Sequence, residues 1–144
     1  MPEKETRERA QKLKREGKAP STQAGEFVRE EIEHIREGKH GARSTKQAIA
    51  IGLAKARRAG VKLPAKKGTS KETQEQAKRD IEKGQSRTKK SAKRSRAAKK
   101  ALKREGRSAA SKEALSRHAR AAAKRRSKAS RSRSAKKAAQ TRKK

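Results

Sequence analysis

Cysteine, tryptophan, tyrosine and asparagine are absent from this chain, and Phe27 is its one aromatic residue apart from histidine. Without cysteine there is no disulfide framework and no thiolate metal site, a usage that fits a reducing compartment. Without tryptophan or tyrosine, and with Phe27 wanted for a core, there are no platforms on which bases could stack, which counts against single-strand RNA modules. Hydrophobic residues, alanine included, make up only 28% of the 144 residues, so most of the chain is not expected to form a core. No stretch approaches the roughly 18 apolar residues of a membrane span, and the N-terminus M-P-E-K-E-T-R-E-R lacks the apolar run of a secretory signal. A soluble, cytoplasmic protein with no membrane partner is the expectation. Acidic residues are scarce too: 15 Asp and Glu face 47 Lys and Arg, leaving a net charge of +32. Such a charge repels itself unless a polyanion neutralises it, and nucleic acid is the abundant cellular polyanion.

What is present gathers around Ser44 to Gly60, S-T-K-Q-A-I-A-I-G-L-A-K-A-R-R-A-G, where apolar residues are densest. Ser44 and Gln47 have the spacing of a capping box at a helix start. Gln47 to Ala54 carries no charge on any face except what Lys46 and Lys55 bring at its ends, a pattern of burial on more than one side. Ile49, Leu53 and Ala56 share a stripe, Ile51 points the opposite way, and Ala48, Gly52 and Ala56 form a track of small residues along which a second helix backbone could approach. Ahead of it, residues 22–37 place Ala24, Phe27, Val28, Ile32 and Ile35 on one face at helical spacing. The seven-residue link G-K-H-G-A-R-S suits an antiparallel pair. Acidic residues of the first helix (Glu26, Glu30, Glu31, Glu33, Glu37) face Lys55, Arg57 and Arg58 of the second, which favours that pairing. Glu31 falls among the apolar positions of the wheel, so it lies either at the rim or bonded to a cation of the other helix, and the rim is the expectation. Phe27, Val28, Ile32, Ile35, Ile49, Ile51 and Leu53 are the expected hairpin core or self-association residues.

Gly17, Gly38, Gly60, Gly84 and Gly106 each follow a charged stretch and read as helix stops. Thr22, Ser44, Thr69 with Glu72, and Ser111 read as starts. The fold class expected is all-α: a small helical hairpin of two main helices, flanking marginal helices, and a long basic tail that is largely disordered or conditionally helical. Residues 1–20 form a charged N-terminal arm, 21–64 the hairpin domain, 65–84 a linker with a short helix and a hinge at A-K-K-G-T-S, and 85–144 the tail. A hairpin of this size is marginal alone, so it needs self-association or flanking helices.

The charge belongs to the C-terminal part: residues 65–144 carry a net of +25 and residues 1–64 a net of +7. From Gln85 onward the only acids are Glu105 and Glu113 and the only large apolar residues Leu102 and Leu115, too few for a core. Lys89, Lys90, Lys93, Arg94, Arg96, Lys99, Lys100, Lys103, Arg104, Arg117, Arg120, Lys124, Arg125, Arg126, Lys128, Arg131, Arg133, Lys136 and Lys137 are the expected nucleic-acid-binding residues. Affinity from such a tail comes from counterion release and carries no base sequence. Alanine with lysine and arginine favours helix once phosphates neutralise the charge. Two helices on a short link also suggest a helix-turn-helix, but the link is long for one and the second helix too apolar for a groove.

No nucleophile, acid-base pair or P-loop has believable spacing: G-K-H-G-A-R-S lacks the Gly-Lys-Ser/Thr end. The chain is not expected to be an enzyme, and no small-molecule substrate or cofactor is expected. His34, Glu37 and His40 fall near one helix end, but zinc wants four constrained ligands, so these and His118 read as surface histidines and no metal is expected. Serines beside arginine, as in S-K-A-S-R-S-R-S-A-K-K, resemble arginine-serine tracts of eukaryotic RNA-processing proteins, where phosphorylation would cancel charge.

At E-F-V-R-E-E-I-E-H-I-R-E-G-K-H-G-A-R-S-T-K-Q-A-I-A-I-G-L-A-K-A-R-R-A-G the chain resembles a family of small basic bacterial proteins that carry a domain of unknown function. Lys46 to Leu53, K-Q-A-I-A-I-G-L, is the most telling piece, and the likeness runs from Glu26 to Leu63. It implies a bacterial, cytoplasmic protein and no particular activity. Gln85 to Lys144 is similar in composition to the Ala/Lys-rich tails of linker-histone-like bacterial proteins, which implies a mode of DNA binding and no particular site. The reading is therefore a non-sequence-specific, nucleoid-associated protein that binds double-stranded DNA and bridges or compacts it, with the hairpin as a homo-oligomer contact. An RNA- or ribosome-associated protein, and an adaptor whose tail only localises it, are the alternatives.

Overall fold

A computed structural model of the chain describes residues 2–86 and 89–143, and among these every regular element is helical. The helices are α1 (Lys4–Arg15), α2 (Pro20–Arg36), α3 (Thr45–Arg58), α4 (Lys71–Gln85), α5 (Ala92–Lys103), α6 (Lys112–Lys124) and α7 (Lys128–Arg142), with a 3-10 turn at Ser108–Ala110 before α6. The all-α expectation holds, but two of its parts do not. Among the described residues there are seven α-helices rather than two main ones, and those of 85–144 are largely helical rather than largely disordered. Ala, Lys and Arg are good helix formers, and three serines, Ser91, Ser111 and Ser127, cap α5, α6 and α7 by accepting from Arg94 N, Ala114 N and Ser130 N.

α2 opens on Pro20, whose fixed φ suits a first helical position, not at Thr22 as the caps suggested. It ends at Gly38 (φ 79°), where Gly38 N–H donates to Ile35 O and Lys39 N–H to His34 O, the paired bonds of a Schellman stop. Gly17 and Gly60 close α1 and α3 with the same pattern and the same left-handed backbone. Gly84 and Gly106 do not: Gly84 lies inside α4, and Gly106 follows α5 without a positive φ. Ser44 caps α3, accepting from Gln47 N at 3.2 Å, while the Gln47 amide oxygen accepts from Arg43 N at 2.7 Å, one residue upstream of a strict capping box. Ser70, not Thr69, caps α4.

α2 and α3 pack as the expected hairpin, with α1 on α2 and α4 on α3. Flanking helices thus cover a hairpin that would be marginal alone. Phe27 and Ile35 are fully buried and Ile32 nearly so, while Val28, Ile49, Ile51 and Leu53 are half-buried. α3 turns inward not its large residues but Thr45, Ala48, Gly52 and Ala56. Among the described residues, eight of the twelve buried apolar ones are alanines, so the core is built from close helix approach rather than from bulk. A methyl group added at Gly52 would lie 2.7 Å from Val28 Cα and 3.0 Å from Val28 N, backbone atoms that cannot swing aside. Gly52→Ala is therefore expected to lower stability by about 1 to 3 kcal/mol in chemical denaturation, although alanine is the better helix former.

The segment expected to hold no core contributes to it. Ala110 is fully buried and Ala109 almost so, in one cluster with Ile32, Ile35, Ala42 and Ala48, and Leu115 packs against it. Small side chains suffice because the backbones dock: Gly41 N–H donates to Leu102 O, Ala42 N–H to Gly106 O, Thr45 Oγ1 to Ala109 O and Arg36 Nε to Ala110 O. The stretch expected to be a hinged linker with a short helix instead carries α4, whose Ala77 and Asp80 are buried and whose Gly84 lies against the Arg57 carbonyl.

Candidate nucleic-acid interface

Cations in the two halves of the chain have different company. In residues 1–86 many are matched: Arg9 with Glu5 and Glu26, Arg29 with Glu33, Lys39 with Glu3 and Glu37, Lys55 with Glu31, and Arg58 with the buried Asp80 at 2.7 Å. The titration directions follow. A hydrogen bond to His34, then contacts with Lys39, hold the Glu3 carboxyl below its usual range, and Glu37 and Glu3 raise the Lys39 ammonium. Glu33 likewise raises the Arg29 guanidinium.

The nineteen basic residues named from the sequence between Lys89 and Lys137 are all exposed, and none forms an ion pair among the described residues. Glu105 pairs with Arg43, at 3.7 Å. On α5, Arg96, Lys99, Lys100 and Lys103 follow helical spacing and share a face, while Leu102 and Ser95 are half-buried. On α6, Arg117, Arg120 and Lys124 share the exposed face with Ser116, opposite the half-buried Ala114, Leu115 and His118. α7 buries no residue and carries Lys128, Arg131, Arg133, Lys136 and Lys137 around its whole circumference. Arg126 bridges from the end of α6 to the start of α7, donating to Ser130 Oγ and Ser134 Oγ. Lys89 and Lys90 precede α5, and Lys93, Arg94 and Arg104 lie in or beside its ends. The arrangement is three short cationic rods, the first two anchored to the hairpin through the 102–115 stretch. It offers point charges and forked donors to phosphate oxygens, and no aromatic group to bases.

Sequence reasoning missed three features near the hairpin. Glu31, expected at the rim, is fully buried and takes a hydrogen bond of 2.5 Å from Lys55 Nζ on α3, the other option that its place on the wheel allowed. His34 and His40, expected as surface histidines, are mostly buried and each turns toward a carboxylate of its own: His40 Nε2 lies 3.2 Å from Glu31 Oε1, and His34 Nε2 lies 2.9 Å from Glu3 Oε1. Glu37, grouped with them by spacing, pairs with Lys39 instead. Ser127, which opens the stretch read as an arginine-serine tract, is the N-cap of α7.

Residues 14–67 match the model of a family of unknown function (DUF6496). The match spans 54 of the 144 residues, from the end of α1 through α2 and α3 to the turn beyond, and it leaves out α4 to α7. Comparison with curated proteins and with solved structures finds no match. No helix among the described residues is long and apolar enough to cross a membrane.

Proposed function

We propose that the chain is a non-enzymatic, nucleoid-associated protein of bacteria that binds duplex DNA without reading its sequence. One observation carries this reading: the cations of α5, α6 and α7 are exposed and, among the described residues, lack carboxylate partners, whereas Arg29, Lys39, Arg43, Lys55 and Arg58 of the hairpin each pair with one. A charge density of this kind costs self-repulsion in water and is relieved along a polymer of phosphates. The mode is that of linker-histone-like tails, in which lysine and arginine replace condensed counterions and base edges go unread. The K-Q-A-I-A-I-G-L helix serves as scaffold in this reading, setting the position of the cationic rods. Ile49 and Ile51, half-buried on opposite flanks of its inward stripe, leave apolar surface for a second copy, so that one assembly bridges two duplexes.

Ionic strength provides the test. With about ten phosphate contacts, the logarithm of the association constant should fall against log salt with a slope near −9, measured by fluorescence anisotropy on mixed-sequence duplexes of equal length. Two such duplexes should differ in affinity by less than about threefold. A slope near zero would refute the proposal. Structured RNA offered in competition at physiological salt should leave most of the protein on DNA; a clear preference for RNA would favour the ribosome-associated alternative.

A further inference from the structure

We infer that Glu31, His34 and His40 form a binding site for a divalent zinc-class cation at the closed end of the hairpin. One donor atom from each of the three lies within 4.8 Å of the others. The cluster has what a surface group of acids lacks, a fully buried carboxylate oxygen with nothing bonded to it: Glu31 is 0% exposed, and its Oε1 has no hydrogen-bond partner. Glu30, 3% exposed, has an unpartnered Oε1 as well, 4.0 Å from His34 Nε2. Lys55 occupies the other oxygen of Glu31 and stands 3.9 Å from Glu30 Oε1, so one ammonium faces two buried carboxylates.

The orientation of His40 sharpens the case. Its Nδ1 lies 3.1 Å from the Gly41 carbonyl oxygen, an acceptor only, so Nδ1 carries the proton and donates there. In the neutral ring Nε2 then presents a lone pair, and it lies 3.2 Å from Glu31 Oε1 without the alignment of a hydrogen bond. Two acceptors at that distance in a buried site require a positive charge between them or a proton on the ring. Nitrogen and oxygen ligands at about 2.0 to 2.1 Å around a tetrahedral zinc ion stand about 3.3 Å apart, close to the separation found. A backbone carbonyl holding the far nitrogen of a ligating imidazole is the usual outer support of such sites. Glu30 Oε1 supplies a fourth oxygen, and two imidazoles select a borderline metal such as zinc over magnesium or calcium. His34 and His40 keep 13% and 16% of their side-chain surfaces exposed, and His40 also lines an open cleft of about 700 Å³ with Lys39 and Arg107, which gives an ion a way in. The ion would clamp α2 to the link that follows it, and metal affinity would appear as fold stability.

The test uses the full chain stripped by chelator. Titration with Zn²⁺ against a chromophoric competitor should show one ion per chain, and Mg²⁺ should show none. H34Q and H40Q, with retained helicity checked by circular dichroism, should each bind about 100-fold more weakly or worse, since loss of mere outer supports already costs about 10- to 100-fold. H118Q should bind as the parent does. X-ray absorption of the zinc-loaded parent chain should show two imidazoles with oxygen ligands, a readout that needs no variant to fold. Absence of stoichiometric uptake would overturn the site and leave the His40–Glu31 contact as a protonated ion pair. Undiminished binding by H40Q, or fewer than two imidazoles on the metal, would overturn it equally.

Discussion

Replacement of Lys55 by methionine should destabilise the fold by about 3 to 5 kcal/mol, read as a fall in the urea midpoint with chelator present. Methionine keeps the length and apolar stem of the lysine, so the change isolates the ammonium. That ammonium donates to Glu31 Oε2 at 2.5 Å and lies 3.9 Å from Glu30 Oε1, and the two carboxylates are 0% and 3% exposed. Its removal leaves adjacent buried acids with His34, His40 and the Glu3 backbone N–H beside them but no ammonium, and an uncompensated buried charge is far more costly than the net worth of the pair. The size of the loss comes from the stranded carboxylates, so neutralising one should restore stability. Glu31→Gln in the Lys55→Met background should recover a large part of it, giving a coupling energy of at least about 1 kcal/mol in the double-mutant cycle. A midpoint unchanged by Lys55→Met would mean that the carboxylates are balanced in some other way.

Which parts of this arrangement could be read from the sequence follows from the range of each interaction. Phe27, Ile32 and Ile35 announce their face because large apolar residues at spacings near three and four leave little choice. The stops at Gly17, Gly38 and Gly60 are legible because a Schellman turn is local chemistry over six residues. The fate of Glu31 is not local. Its wheel position was visible, but choosing between rim and interior depends on Lys55, 24 residues on, and on His40 in the link. The buried role of Ala109 and Ala110 was hidden for another reason: alanine has helix propensity everywhere and little hydrophobic surface, so it signals neither face nor depth. Composition suggested that residues 85–144 could hold no core, a conclusion that assumes cores are made of leucine and isoleucine. Here the hydrogen bonds from Gly41 N–H, Ala42 N–H and the Thr45 hydroxyl to the 102–109 stretch bring alanines close enough to fill the space. The exposure of the tail cations was the easiest feature to foresee, since there are almost no acids nearby to hide them.

The same packing decides how the proposed DNA binding should be dissected. Deleting everything after residue 84 would strip Ala109, Ala110 and the acceptor of Thr45 from the hairpin core, so lost binding could not be told from lost folding. α7 offers the clean cut, because it buries no residue. A chain ending at Ser127 should keep the urea midpoint of the parent to within about 0.5 kcal/mol, as expected for changes remote from packed groups. It should nevertheless lose much of its affinity for duplex DNA. The segment removed carries Lys128, Arg131, Arg133, Lys136, Lys137, Arg142, Lys143 and Lys144, eight of the 47 basic residues, and each that meets a phosphate contributes about 0.9 to the salt slope. With half of them in contact, the slope should flatten by about 3.6, and the affinity near 0.1 M salt should fall by roughly 10³-fold or more. The direction of the two readouts is what matters: stability flat and affinity down places the activity on the exposed cations. Affinity unchanged after the cut, with the salt slope also unchanged, would confine any polyanion contact to the remaining cations of residues 2–127 and remove α7 from the proposal.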